Sequence, residues 1–336
     1  AILAMASYEL DLFGKIRNLN EQALQAYFAS EDARRSAQNT LIAEVATVWL
    51  SIGADHASLD LARKTLSSQT ESFRLVEQSY NAGTANKLEL NQAKEIVASA
   101  KTAVQTAINA LNQDKNAMRL LAGAEVSENL LPTKIELGAT LPASMPAGLP
   151  SEVLLRRPDI SIAERNLRAA NANIGVAKAA WFPAISLTGL FGVVSPELHT
   201  LMSNPLQTWS YGGAASVPLL DFGRVKYGVE AAEAKQRESL ATYEKTVQGA
   251  FKEMRDALTR QQEMSNVVAS LERMVKELRL SVELANTRYD NGYSSYLEVL
   301  DAERSLFDSE MQLAAARSER LSSIVNVCLA LGGGWK

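Results

Sequence analysis

This chain of 336 residues has a single cysteine, Cys328, so no disulfide can form within it. On a helix ending near Leu329, that thiol reads as a buried small apolar residue. Histidine is nearly absent too. His56 and His199 stand far apart and fit no metal-ligand spacing, so both read as solvated or structural. There is no Gly-Lys-Ser phosphate cradle, Gly332-Gly333-Gly334 reads as a helix terminator, and no catalytic constellation is visible. We therefore expect no enzyme, no cofactor and no metal. The formal charge of −4, without a basic cluster, argues against a nucleic-acid partner. No run approaches the roughly 18–20 apolar residues of a membrane helix. That excludes helical spanning but leaves open a β-barrel, whose signal is weak alternation. No signal peptide is visible.

What the chain does contain is a repeat. Residues 14–123 and 223–332 align without a gap at a constant offset of 209. Phe13-Gly14 returns as Phe222-Gly223, Tyr80-Asn81-Ala82-Gly83 as Tyr289-Asp290-Asn291-Gly292, and Leu88-Glu89-Leu90 as Leu297-Glu298-Val299. Punctuation held in register over such a length implies two copies of one structural unit. About 70 residues (roughly 151–222) lead into the second copy and only 13 precede Gly14. We expect about 60 further residues, plus any targeting sequence, ahead of Ala1.

From Lys15 to Tyr80 there is no proline, and Gly53 is the only glycine. Leu41, Val45, Val48, Ile52, Leu59, Ala62, Leu66, Phe73, Val76 and Tyr80 recur at a coiled-coil spacing. Val247, Phe251, Met254 and Leu258 repeat it in the second copy. A helix of about 65 residues is roughly 100 Å long. The turns at Asn81-Ala82-Gly83-Thr84 and Asp290-Asn291-Gly292-Tyr293 end these helices with glycine at a left-handed cap. Thr84 and Ser294 or Ser295 are candidates to open return helices over roughly 86–121 and 295–330. Between the copies, residues 124–150 carry Pro132, Pro142, Pro146 and Pro150 and read as an irregular connector. A helix is expected from about Pro158, well suited to a first helical position, to Ala180, with Asp159 complementing its dipole.

Three stretches read as strands. Residues 6–13 look like a strand end. After Pro183, Ile185, Leu187, Phe191 and Val193 alternate with Ser186, Thr188 and Gly192. Beyond a loop over 195–208, Trp209, Tyr211, Ala215 and Val217 alternate with Ser210, Gly212, Ala214 and Ser216. Such strands suit a membrane hairpin with aromatics at one boundary, or an ordinary soluble hairpin. A lone hairpin cannot span lipid, because its edges leave backbone groups unpaired, so membrane insertion would require several chains.

Leu154-Leu155-Arg156-Arg157-Pro158-Asp159-Ile160, followed by Ala163-Glu164, Leu167, Ala170-Asn171-Ala172, Ile174-Gly175 and Pro183, resembles the signature of TolC-family outer-membrane efflux proteins. It is most similar to the OprM/NodT-like outer-membrane factor lipoproteins of resistance–nodulation–division pumps. Tyr8-Glu9-Leu10-Asp11-Leu12-Phe13-Gly14 and Pro218-Leu219-Leu220-Asp221-Phe222-Gly223 resemble that family's strand-to-helix junctions. The resemblance implies a mostly α fold with β, in which long antiparallel coiled-coil helices form a trimeric tunnel. Strands from each protomer would complete a shared 12-stranded transmembrane barrel. It divides the chain into a hairpin end (1–14), a first helical hairpin (15–123), a connector (124–150) and an equatorial helix (151–182). A second barrel hairpin (183–222), a second helical hairpin (223–332) and a tail (333–336) follow. It further implies an outer-membrane exit channel reaching into the periplasm, joined to a periplasmic adaptor and an inner-membrane pump, and commonly lipid-anchored.

By that resemblance Glu298 and Asp301 line the periplasmic constriction, Tyr289 joins a tip-closing network, and Glu89 and Gln92 are the first-copy counterparts. From spacing alone, Glu298 and Asp301 share a helix face and would stack as acidic rings in a trimer, or form a solvated acidic face near a helix start. Ala82, Gly83, Thr84, Asn291, Gly292 and Tyr293 are the candidate adaptor contacts, although glycine is needed there simply to turn. Arg156, Arg157, Pro158 and Asp159 read as structural. Ser294 stands where the family carries an arginine, which puts its charged lock in doubt. The alternatives are a channel for protein secretion or heavy-metal export, and a soluble coiled-coil adaptor.

Overall fold

The computed structural model describes residues 2–134, 157–195 and 206–333. In chain order these form β1 (Ile2–Leu10), α1 (Lys15–Asn81), α2 (Lys87–Ala122), a 3-10 turn (Glu128–Leu130), α3 (Pro158–Ala179), β2 (Ala184–Val194), β3 (Leu206–Ser216), α4 (Arg224–Asp290) and α5 (Tyr296–Ala330). The sequence offset carries into the backbone. Helices α1 and α4 are both 67 residues long and begin and end in register. Gly14, Gly83 and Gly123, with their counterparts Gly223, Gly292 and Gly332, all take φ between 68° and 92°. Residues with a Cβ are disfavoured there, so each copy is punctuated at the same three points.

β1 ends at Leu10, three residues short of the strand expected to reach Phe13. Asp11 leaves the sheet, and its carboxylate accepts the backbone N–H groups of Ile16 and Arg17, each at 2.9 Å, so the chain must turn there. Asp221 does the same before α4, accepting from Gly223 (3.1 Å) and Val225 (2.9 Å). β3 starts at Leu206, earlier than the expected Trp209, because Gln207 and Leu206 still pair with Val193 and Val194 of β2.

The chain divides into two compact units, Ala1–Ser36 with Leu155–Gly249, and Ala37–Leu154 with Ala250–Lys336. The first holds an antiparallel sheet in the order β1-β2-β3. Its register puts Tyr8 beside Leu187 and Phe191 beside Trp209, so the aromatic residues of all three strands share one face, while Leu3, Met5 and Leu190 lie on the other. The aromatic face is open: Tyr8, Phe191, Trp209 and Tyr211 are all more than half exposed, and the Trp209 and Tyr211 rings stack at 5.8 Å. Ser7, Thr188 and Ser210 lie on the opposite face. In the same unit α3 locks onto α1. Arg165 donates to the buried Asp32 at 2.7 Å, and its guanidinium sits 4.7 Å from the Phe28 ring centre. Pro158 occupies the first turn of α3, as expected. Arg157, itself buried, sits at the cap position without a side-chain cap bond and donates to both oxygens of Asp159. Burial works against ionising Asp159, yet the guanidinium holds its carboxyl below the usual value. Arg156, His199 and residues 135–150 of the connector lie outside the described residues.

In the second unit, Ile52, Leu59 and Ala62 of α1 pack on Val104, Ala107, Leu111 and Met118 of α2, closed by Leu131. Leu41, expected in that stripe, is exposed, as are Phe251 and Leu258 of the matching α4 stripe. A heptad pattern marks which faces are apolar, and one chain covers only part of them. Cys328 is half-buried rather than buried. Helices α4 and α5 are held in register by Arg260–Glu319, Arg279–Glu310 and Arg317–Glu272, at 2.6–2.7 Å. Among the described residues no helix is long and apolar enough to cross a membrane.

Candidate functional site: the helical tips

The ends of α1 and α4 and the starts of α2 and α5 bring together the residues that sequence singles out. Both outgoing helices stop in the same hydrogen-bonded turn. The Gly83 N–H donates to Tyr80 O (3.0 Å) and the Thr84 N–H to Ser79 O (2.9 Å). Gly292 donates to Tyr289 O (2.9 Å) and Tyr293 to Arg288 O (2.8 Å). This doubled bond pattern satisfies carbonyls that a helix end otherwise leaves open. Ala82, Gly83, Thr84, Asn291, Gly292 and Tyr293 are all exposed at these turns.

The return helices start differently. Asn86, not Thr84, caps α2: its Oδ1 accepts from the N–H groups of Leu88 (2.9 Å) and Glu89 (3.0 Å), and Glu89 Oε2 accepts from the Asn86 N–H (3.2 Å). Thr84 instead donates its hydroxyl to Ser79 O at 2.9 Å. Reciprocal capping of this kind satisfies two orphan donors, so Glu89 is partly consumed by helix structure. Ser295 sits at the cap position of α5 but makes no side-chain cap bond.

Behind the turns lies an apolar cluster of Val76 (α1), Ala93 (α2), Ala285 (α4) and Tyr296, Val299 and Leu300 (α5), with Phe73, Ile96 and Tyr289 against it. The Tyr289 and Tyr296 rings meet at 5.2 Å. Burial raises the Tyr289 phenol above its ordinary pKa, and the charges of Glu89 and Asp290 add to that, so the tyrosine stays neutral beside two acids. Gln92 is half-buried on α2. Val299 and Leu300 face the cluster, whereas Glu298 and Asp301, which bracket them, are exposed on the other side of α5.

Sequence reasoning missed Arg288. It lies in the last turn of α4, where a cation suits the helix dipole, and its Nε is 3.7 Å from Glu298 Oε2. A basic residue six positions before Ser294 was the available signal. The Ser294 hydroxyl is buried without a partner. The charged contact between the two helices therefore comes from the residue before the turn rather than from one after it. Asp301 forms no ion pair among the described residues.

The family described as outer membrane efflux protein matches residues 2–124 and 149–333. The solvent efflux pump outer membrane protein SrpC of Pseudomonas putida is 40% identical over 331 residues, spanning 98% of this chain and 70% of that protein. A membrane protein from Pseudomonas aeruginosa superposes with a TM-score of 0.91 at 38% identity, covering 98% of this chain and 74% of the other. The outer-membrane channel OprN does so with a TM-score of 0.90 at 31% identity, with 98% and 74% covered.

Proposed function

From the premise that the chain belongs to the outer membrane efflux protein family, whose members are transport conduits, we propose that it is the exit duct of a tripartite pump. It is an outer-membrane efflux protein, and passive passage from periplasm to exterior requires no catalytic group. In this reading three copies assemble, their strands close one barrel of twelve, and their helices enclose water across the periplasm. A periplasmic adaptor meets the turns at Gly83 and Gly292, and an inner-membrane pump supplies the energy.

The observation that carries the reading is the sheet. Its aromatic face is exposed, and β1 and β3 are both edges with unpaired backbone groups. Lipid suits such a face, and only closure with further strands removes the edges. At the tip, the exposed Glu298 and Asp301 supply the acidic lining of a constriction, with Arg288 tempering the first of them. The test is to purify the full-length protein in detergent, image it, and record from it in planar bilayers. A threefold hollow particle with ohmic conductance is expected. A monomer that stays dispersed without detergent overturns the proposal.

A further inference from the structure

We propose that Glu303 is a proton-responsive latch between the two helical hairpins: neutral, it is buried at low cost and lets α5 pack on α1 beside Gln69, and ionised, its demand for water outweighs the Gln69 bond and loosens that packing. Any effect on the pore rests on the channel reading above, whereas the latch itself does not.

The geometry is that of a polar contact set inside packing. Gln69 of α1 is 6% exposed, and its amide donates at 2.6 Å to Glu303 Oε2 of α5. The bond therefore ties the first hairpin to the second, just behind the apolar cluster of the tips. Beside it opens a cavity of about 330 Å³ with Ile96, Leu300 and Phe307 among its walls. Among the described residues no cation pairs with Glu303, and Gln69 is its one hydrogen-bond donor.

The charged and titratable groups around it come from three helices. Glu95 of α2 also lines the cavity, and a second acid there opposes ionisation. Arg304, the next residue of α5, reaches the cavity from an exposed position. Tyr296, also on α5, is 5% exposed, and its hydroxyl lies near Ser72 and Glu303 with no partner at hydrogen-bond geometry. Tyr289 of α4 packs behind Tyr296. Burial lifts the Glu303 carboxyl above its ordinary value, and the Gln69 bond offsets part of that. A group raised on packing favours the packed form below its free pKa, and that contribution is lost as pH rises through the raised value. The contact is thus tightest in acid.

The test is amide hydrogen exchange on the full-length protein in detergent, from about pH 4.5 to about pH 8, corrected for intrinsic rates. The readout is protection of residues 66–80 and 296–307. The wild-type opening constant should rise with pH by roughly tenfold for each unit by which packing raises the carboxyl. Glu303→Gln should be flat at the acid-side level. Gln69→Leu, which removes the donor to the charged form, should move the midpoint to higher pH. A flat wild-type profile, a Glu303→Gln variant that titrates like wild type, or an unmoved midpoint in Gln69→Leu each overturns the latch. Bilayer recording from the same preparations separates the two ideas. Titration without a pore refutes the channel and supports the latch, and a pore without titration does the reverse.

Discussion

The charge carried by the second tip yields a signed expectation for ion selectivity. Glu298 and Asp301 are exposed three residues apart on α5, and Arg288 sits 3.7 Å from Glu298. Each tip thus carries one net negative charge from these three groups, and a trimer carries three. For a ring of about 7 Å radius at about 0.15 M salt, the screened potential at the axis is worth roughly 0.7 kcal/mol. That enriches monovalent cations about threefold to fourfold. Glu298→Ala or Asp301→Ala cancels the charge and should erase the enrichment. The double variant leaves Arg288 alone and should tilt the pore toward anions, while Arg288→Ala should deepen cation preference. The assay is the reversal potential of full-length channels in a salt gradient. At about 1 M salt, with a Debye length of about 3 Å, the four variants should converge. Exposed pairs contribute little to folding, so thermal stability serves as the control and should hardly move. Reversal potentials identical across all four at low salt would falsify the assignment of these residues to the pore lining.

Other expectations concern the frame that carries the tips. Ile52→Ala, at a fully buried position of the α1–α2 core, should cost about 2–5 kcal/mol by chemical denaturation. Gly292→Ala meets no atom within 4 Å but must hold a φ of 75°, so the loss should be only about 1 kcal/mol. Burial, then the charge of Asp114, pushes the Asp55 carboxyl up to about 6. The folded form therefore gains below about pH 4 and loses that gain as pH rises through about 6, so Asp55→Asn should raise the melting temperature at pH 7.5 and have little effect near pH 4. Backbone N–H groups of Val225 and Gly223 hold Asp221 below its ordinary value. Its contribution is present at neutral pH and lost as pH falls through the lowered value, so Asp221→Asn should flatten the acid side of the melting curve.

The long helices, the glycine turns and the alternating strands were legible because each rests on a local rule: period, left-handed backbone, pleat. Assigning both faces excludes a one-residue slip, which would turn the aromatics to the wrong side, but only the structure pairs Phe191 with Trp209. The end of the first strand was not legible from the repeat, because Asp11 and Asp221 occupy adjacent rather than equivalent positions of it. Thr84 reads as the cap from the turn alone, although Glu89 three residues after Asn86 completes a capping box there. The pairings of Arg288, Gln69 and Glu303 were not legible for another reason. Their partners lie on another helix, and periodicity says nothing of which polar side chains meet across a packed face. The tip residues drawn from family resemblance lie together at the turns, and the selectivity measurement decides what they do.

The equal span of α1 and α4 has a consequence for tolerated change. One residue inserted within either rod would swing everything beyond it by about 100° and advance it about 1.5 Å. Val76 or Ala285 would then leave the buried cluster, and the turn at Gly83 or Gly292 would point elsewhere. Seven inserted residues leave a rotational error of only about 20°. Lengthening of these rods is therefore confined to whole heptads, matched in both copies, while the loops remain free to vary.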